Sequence, residues 1–271
     1  MVTVKASRKD LIAGALISCS TLLHAAPAAA QREGQASVLE EIVVRAQKRE
    51  QSLQDVPLSL QTFAGKDVRS WGINDIEALS ERMPGITLSR TGTSQRIIMR
   101  GIGSGTNDGF EQSVGTFVDG VYYGRGQQIR PDFIDVARIE ALKGPQSTLF
   151  GTNVTAGAIV VTTNDPTDQA EGRVSLLAGE YDKREAEAVL SGPLTDKLSG
   201  RLALYRRDFE GFMKNVSLQD WVAGEESVGG RLVLKYRPTD QLTIRGAYEH
   251  HDINQNGHTG QQFHDPAGRD A

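Results

Sequence analysis

From residue 171 to residue 249 apolar and polar side chains alternate in five successive stretches, and extended strands give both sets a consistent face. Val174, Leu176 and Ala178 are interleaved with Ser175, Leu177 and Gly179, and Ala186, Ala188 and Leu190 with Glu185, Glu187 and Val189. Leu202 and Leu204 sit between Arg201, Ala203 and Tyr205. Leu232, Leu234 and Tyr236 alternate with Arg231, Val233 and Lys235, and Leu242, Ile244, Gly246 and Tyr248 with Thr243, Arg245, Ala247 and Glu249. Strands of about ten residues, charged on one face and apolar on the other, are what the tilted wall of a bilayer barrel requires. A soluble β-sandwich shows the same alternation, so these residues by themselves leave both architectures open.

The connections add direction. Residues 192–197 and 237–241 are compact turns, whereas 211–227 is long and polar, as when short turns face the periplasm and longer loops the exterior. The 179–183 connection is short as well, so the contrast rests on the one long loop. With the first strand rising from the periplasm, parity places that loop outside, together with everything after His251. No apolar run reaches eighteen residues, which excludes a spanning helix, and a mean hydropathy of −0.35 is what alternating strands allow. The formal charge of −4 over 271 residues comes without a basic stripe, so nucleic acid is not an expected partner.

The first 30 residues read as an export signal: Lys5, Arg8 and Lys9, then a largely apolar stretch over 11–23, then the small residues 25–30 ahead of Gln31. Cys19, the single cysteine, follows Leu16-Ile17-Ser18 in a pattern similar to a lipobox, but the alanine cluster favours ordinary cleavage. The mature chain then has no disulfide to staple a small fold. Residues 31–55 form a polar tether interrupted by Ile42-Val43-Val44 between Glu40-Glu41 and Arg45. A short β-branched run in a soluble tether suits strand addition to the sheet edge of a partner; an ordinary edge strand of the next domain is the competing reading.

Residues 56–166 mix helix and strand signals. Residues 56–63 alternate like a strand. Asn74 is the expected helix cap with Glu77 as its capping-box partner, and Ile76, Leu79 and Met83 share one face before Pro84-Gly85 end the helix. Short β-type runs follow at 86–88, 96–100, 115–118 and 138–142, and 158–163 is the last buried strand. Asp119-Gly120 between Phe117-Val118 and Val121-Tyr122 reads as a two-residue hairpin turn. The glycine-rich stretch 101–109 lacks both the third glycine of a dinucleotide fingerprint and the Lys-Ser/Thr of a P-loop, so nucleotide binding is not expected.

Taken in order, these segments resemble the N-terminal part of a TonB-dependent outer-membrane receptor. Glu40-Glu41-Ile42-Val43-Val44-Arg45-Ala46 resembles the TonB box, with Arg45 where Thr is frequent, and residues 47–57 resemble the plug entrance. Arg100-Gly101-Ile102-Gly103 and Val118-Asp119-Gly120-Val121 match internal plug motifs, and residues 138–151 followed by Gly157-Ala158-Ile159 match the closing signature. The resemblance implies an α+β plug domain followed by the first antiparallel strands of a transmembrane β-barrel, the barrel incomplete. Its organisation is a signal peptide at 1–30, a periplasmic tether with TonB box at 31–55, a plug at 56–166 and five barrel strands at 171–271.

The resemblance also implies roles. Glu41, Ile42, Val43, Val44, Arg45 and Ala46 are the expected TonB-binding residues, with TonB energised by its inner-membrane complex. Arg100 and Lys143 hold positions of plug cations that pair with barrel carboxylates in that family, although Lys143 stands where Arg is usual and loses the bidentate fork. Ser104, Asn107, Asp108, Tyr122, Tyr123 and Arg125 are the expected ligand-facing plug residues. The ligand class stays open among siderophore, haem, cobalamin, carbohydrate and aromatic nutrients, and the expected location is the outer membrane. His250, His251, His258 and His264 read as part of a solvated loop without a defined metal site. No cofactor is implied, and no nucleophile, base and oxyanion set is recognisable, so an enzyme is not expected.

Five strands fall short of the eight in the smallest single-chain bacterial barrels. The expectation is therefore an N-terminal portion of a transporter for energised nutrient uptake, inactive in transport by itself. The alternative is a secreted, soluble plug-like module that captures TonB or ligand in the periplasm; it leaves Leu232, Leu234, Leu242 and Ile244 uncovered.

Overall fold

A computed structural model describes residues 43–44, 51–52, 59–91, 94–105, 107, 109–129, 132–151, 153–215 and 220–256. The expected export signal with Cys19, the tether apart from 43–44 and 51–52, and His258 and His264 lie outside the described residues. In the tether, β1 (Val43–Val44) pairs antiparallel with β2 (Gln51–Ser52).

The α+β region begins with β3 (Ser59–Ala64), α1 (Gly65–Ser70) and α2 (Ile76–Arg82). Ile76, Leu79 and Met83 are buried on one face as their spacing requires. The helix cap differs from the expectation. Asp75, not Asn74, accepts the Ala78 N–H at 2.7 Å. Asn74 is committed elsewhere: its carbonyl accepts the Phe133 N–H at 2.6 Å, and its amide donates to Glu185 at 3.1 Å. A long-range partner thus outcompetes the local one, and the next acceptor along the chain caps the helix.

β4 (Ile86–Thr91), β5 (Ser94–Met99) and β6 (Ile102–Gly103) form a small antiparallel sheet. β7 (Val114–Val118), β8 (Val121–Tyr123), β9 (Val136–Lys143), α3 (Ser147–Phe150) and β10 (Gly157–Thr163) follow. The main sheet has the order β3-β9-β10-β7-β8, with β10 parallel to β7 and every other pair antiparallel. At the β7–β8 turn Asp119 and Gly120 have φ of 48° and 83°, the positive pair that a type I′ hairpin demands and that Asp-Gly adopts at low cost. One face of the sheet packs Ile139, Ile159 and Val114 against the helices, where Leu79 and Ile97 are fully enclosed. The other packs Phe117, Leu142, Val154 and Ala158, with Phe150 of α3 set 4.8 Å from the Phe117 ring.

The remaining strands make an antiparallel wall: β11 (Glu171–Ala178), β12 (Arg184–Thr195), β13 (Leu198–Phe209), then β14 (Met213–Asn215) and β15 (Asp220–Val222) in the long connection, then β16 (Gly224–Thr239) and β17 (Leu242–Asn256). The wall order is β11-β12-β13-β16-β17, and β14 and β15 pair with each other. Five wall strands match the alternation, but four of them are longer than about ten residues. β12 runs on to Thr195 and β16 to Thr239, with register shifts near Pro193 and Pro238 where no ladder N–H exists. β16 also starts inside the stretch expected to be loop, and His250 and His251 belong to β17, opposite Gly230 and Gly229. The alternation fades there for a steric reason. A Cβ on Gly229 would lie 2.5 Å from Cε1 of Tyr205, so the ring takes the space that an alternating side chain would use.

Leu190, Leu202, Leu232 and Tyr248 are consecutive cross-strand partners and lie in one exposed row, with Leu190 64 % and Tyr248 69 % accessible. The opposite face carries Arg201, Tyr205, Arg207, Arg231 and Val233 toward the α+β region. Plug-like region and wall fall in one compact unit.

Leu79→Ala removes a fully enclosed side chain and is expected to lower stability by about 2–5 kcal/mol. Asp75→Ala removes only the cap and is expected to cost about 1 kcal/mol. Urea unfolding followed by the fluorescence of Trp71, which meets Phe63 edge-on at 5.5 Å, measures both, and equal losses would contradict the assignment.

Candidate functional site

Asp119 is the point at which the hairpin, the last strand of the α+β region and the wall meet. Its Oδ1 accepts the Thr163 N–H at 2.9 Å and its Oδ2 the Thr163 hydroxyl at 2.7 Å, which fastens the β7–β8 turn to the end of β10. Oδ2 also accepts from Arg231 of β16 and, at 3.0 Å, from Arg245 of β17. Burial pushes this carboxyl up, and the Thr163 and arginine hydrogen bonds override it, so its pKa lies below the ordinary aspartate value.

The same chemistry recurs along the seam. Arg201 of β13 makes a forked pair with Asp135, whose backbone has φ 49° and whose carbonyl accepts the Asn164 N–H at 3.0 Å. Both partners are buried, with Arg201 8 % and Asp135 6 % accessible. Arg207 lies 2.7 Å from Asp132, which also accepts the Ser227 hydroxyl at 2.7 Å. Arg207 further covers the Tyr205 ring at 4.4 Å. Asp165, in the segment leading into the wall, accepts from Arg245 at 2.8 Å and Lys235 at 3.1 Å, and Asp168 pairs with Arg237. Burial raises the Asp165 carboxyl and the bonds from Arg245 and Lys235 outweigh it, leaving its pKa lowered.

A cavity of about 160 Å³ separates Thr116, Tyr123 and Asp132 from Glu249 and His251 of β17. Glu249 lies 2.7 Å from Nε2 of His251, so this nitrogen carries the proton, and Nδ1 is 3.0 Å from the Tyr205 hydroxyl. The imidazole is therefore a structural link in the wall. Among the described residues no cluster of three His, Cys, Asp or Glu has metal-site geometry.

The loop residues singled out by sequence fall into two places. Ser104 accepts the Ser113 N–H at 2.7 Å and donates to the Glu111 carbonyl at 3.0 Å, closing the loop on itself. The side chain of Asn107 accepts the Gly109 N–H at 2.9 Å, and Arg125 and Gln128 brace the next turn through a 3.1 Å bond from the Arg125 N–H. Tyr122 donates to Glu111 at 3.2 Å, and Asn153 donates to the same carboxylate. Burial, then the Glu111 charge, raises the Tyr122 phenol. Tyr123 points the other way and lines the seam cavity. Asp108 lies outside the described residues. Glu111 and Asn153, which clasp three loops together, had no local motif to mark them.

Of the TonB-box residues, Val43 and Val44 form β1, with Val43 opposite Ser52 and Val44 opposite Gln51; Glu41, Ile42, Arg45 and Ala46 lie outside the described residues. Arg100 and Lys143 are placed side by side, but against their own region. Arg100 donates to the Ser59 hydroxyl at 2.6 Å, and Lys143 donates to Gln61 at 3.1 Å and to the Pro84 carbonyl at 2.8 Å. Burial and then the Arg100 charge lower the Lys143 pKa. The described ion pairs between the two layers run in the opposite sense, from carboxylates of the α+β region to arginines of the wall.

Residues 52–158 match the family model of the TonB-dependent receptor plug domain. The chain carries a TonB-dependent receptor plug. The pesticin receptor of Yersinia enterocolitica is 28% identical over 209 residues, covering 76% of this chain and 30% of that protein. The iron-regulated outer membrane virulence protein of Vibrio cholerae is 30% identical over 171 residues, covering 59% of this chain and 26% of that protein. The crystal structure of the ferric yersiniabactin uptake receptor FyuA from Yersinia pestis superposes with a TM-score of 0.67 at 26% identity, covering 72% of this chain and 32% of that one. The chain thus spans less than a third of the length of these relatives. Its described part is a plug followed by antiparallel wall strands that do not close into a barrel.

The plug–wall seam carries a measurable acid signature. Asp119 and Asp165 have lowered folded-state values, so the stability they contribute is complete above about pH 4 and disappears as the pH falls through those values. Stability measured from about pH 5 to about pH 2 is expected to fall with acid, and Asp119→Asn or Asp165→Asn is expected to flatten that slope. An unaltered slope in both variants would show that the seam carboxylates do not titrate as placed.

Proposed function

We propose that the chain serves as the plug and first wall strands of a TonB-dependent outer-membrane transporter for energised nutrient uptake. One observation carries the reading: a plug bound to an amphipathic wall by charged pairs, while the wall turns an uncovered apolar row the other way. Water does not favour such a row, and a bilayer does. The same row disfavours the secreted soluble module.

The proposed cycle starts with ligand at the mouth, where the loops of Ser104, Asn107, Tyr122 and Arg125 meet it. Several relatives are named as siderophore receptors, among them the ferripyoverdine receptor of Pseudomonas aeruginosa, and an iron chelate is accordingly the ligand class best supported. In the periplasm TonB, driven by its inner-membrane complex, pairs with the strand around Ile42, Val43 and Val44, flanked by Glu41, Arg45 and Ala46. Among the described residues β1 pairs with two residues of β2, and a longer strand supplied by TonB can replace or extend that ladder. The pull along the tether then displaces the plug from the wall. Every step uses binding and movement, which is the activity of a transporter and not of an enzyme.

In an antiparallel ladder successive N–H groups point to opposite edges, so one of Val43 and Val44 faces an incoming strand. Proline at each position, singly and together, removes those donors. Binding of the full chain to the TonB periplasmic domain, measured by calorimetry, is expected to weaken at least about tenfold in the double variant, a loss of about 1.4 kcal/mol. Unchanged affinity would overturn TonB pairing at this segment.

A further inference from the structure

The plug carboxylates are not the only partners of the wall arginines. Arg231 binds Asp119 of the plug through one terminal nitrogen and Glu249 of its own wall through the other. Arg201 forks onto Asp135 of the plug and also donates to Glu171 of β11 at 2.7 Å. Arg207 lies 2.7 Å from Asp132 of the plug and 4.0 Å from Glu185 of β12. Arg245 reaches Asp119 at 3.0 Å and Asp165, in the segment joined to the wall, at 2.8 Å. Arg201, Arg207 and Arg231 thus each face one carboxylate of the plug and one of the wall, while both carboxylates of Arg245 lie ahead of the wall.

We propose that this sharing makes the seam a partner-exchange latch: when the plug is displaced, each of the three arginines settles on its wall carboxylate instead of being stranded. Breaking a buried ion pair is costly because a charge is left without a partner. Three such losses together would hold the plug too firmly for a reversible cycle. A carboxylate already in contact removes that penalty on the arginine side, and the departing aspartates are solvated as the plug moves. The wall carboxylate also repels the plug aspartate across the shared arginine, which lowers the grip of the closed state. The latch therefore holds position through geometry while keeping the cost of release low. Its use in a transport cycle rests on the uptake reading above, whereas the exchange itself is a property of the seam and is measured without TonB.

The test turns on a sign that a merely structural role would not give. Glu171 and Glu249 are wall residues whose loss deprives an arginine of its fallback, so neutralising them is expected to tighten the plug. Glu171→Gln reads out at the Asn164 amide, which is bonded to the Asp135 carbonyl, and Glu249→Gln at the Thr163 amide, which is bonded to Asp119. In hydrogen exchange on the purified full chain in detergent micelles, each reporter is expected to slow about tenfold in its own variant, an opening free energy higher by about 1.4 kcal/mol. Asp119→Asn is expected to accelerate Thr163 exchange instead. Glu171 is half-exposed at a wall edge, so Glu171→Gln keeps the test available where Glu249→Gln perturbs His251. Faster or unchanged exchange at Asn164 in Glu171→Gln would overturn the latch, and loss of TonB binding in the proline variants would leave it untouched.

Discussion

An arginine carried on the inner face of the wall and buried against the plug needs a carboxylate, and three plug aspartates, Asp119, Asp132 and Asp135, serve four wall arginines. That requirement ties three otherwise independent choices together. The wall register places Arg201, Arg207, Arg231 and Arg245 on the inner face, and a slip of one residue would turn them to the exposed apolar face. The β7–β8 turn must present Asp119, and the positive φ of Asp135 must aim its side chain at Arg201. The end of β10 must lie beside the turn so that Thr163 can saturate the same carboxylate.

The two faces of the wall show how one alternation serves two surroundings, one exposed and one against the plug. The outer row of Leu190, Leu202, Leu232 and Tyr248 is exposed apolar bulk that sets no demand for a particular partner. The inner face is specific: each charge there has a named counterpart, and His251 is held between Glu249 and Tyr205. The interface combines discrete ion pairs with one small apolar cluster, Ile134 of the plug against Val189, Ala203 and Tyr205 of the wall, beside a cavity.

Much of this architecture is legible in the order of the residues. The burial of Ile76, Leu79 and Met83 follows from helical spacing, the turn at Asp119-Gly120 from the φ preferences of that pair, and the five wall strands from a period of two. The misplacements share a cause. Asn74 has the right chemistry for a cap but is drawn to Glu185, 111 residues away. Residues 224–227 read as the end of the long polar loop and the segment from His250 as a solvated loop, because polar residues and histidines interrupt the alternation there, and the ring of Tyr205 that explains Gly229 sits on another strand. Arg100 and Lys143 are expected to pair with barrel carboxylates, whereas their described partners are Ser59, Gln61 and Pro84 of their own region.

The sequence by itself determined which residues share a face, where the chain turns, and the order of motifs that marks a plug followed by wall strands. These are properties of neighbours within a few positions, governed by backbone geometry and side-chain period. Only the tertiary structure decided which aspartate meets which arginine, that the seam runs from plug acid to wall base, and that each arginine is shared. Asp135 and Arg201 are 66 residues apart and Asp119 and Arg245 are 126 apart, and no local preference encodes a pairing over such distances. It arises when two folded surfaces are brought together and buried charge admits few arrangements in which every group is satisfied.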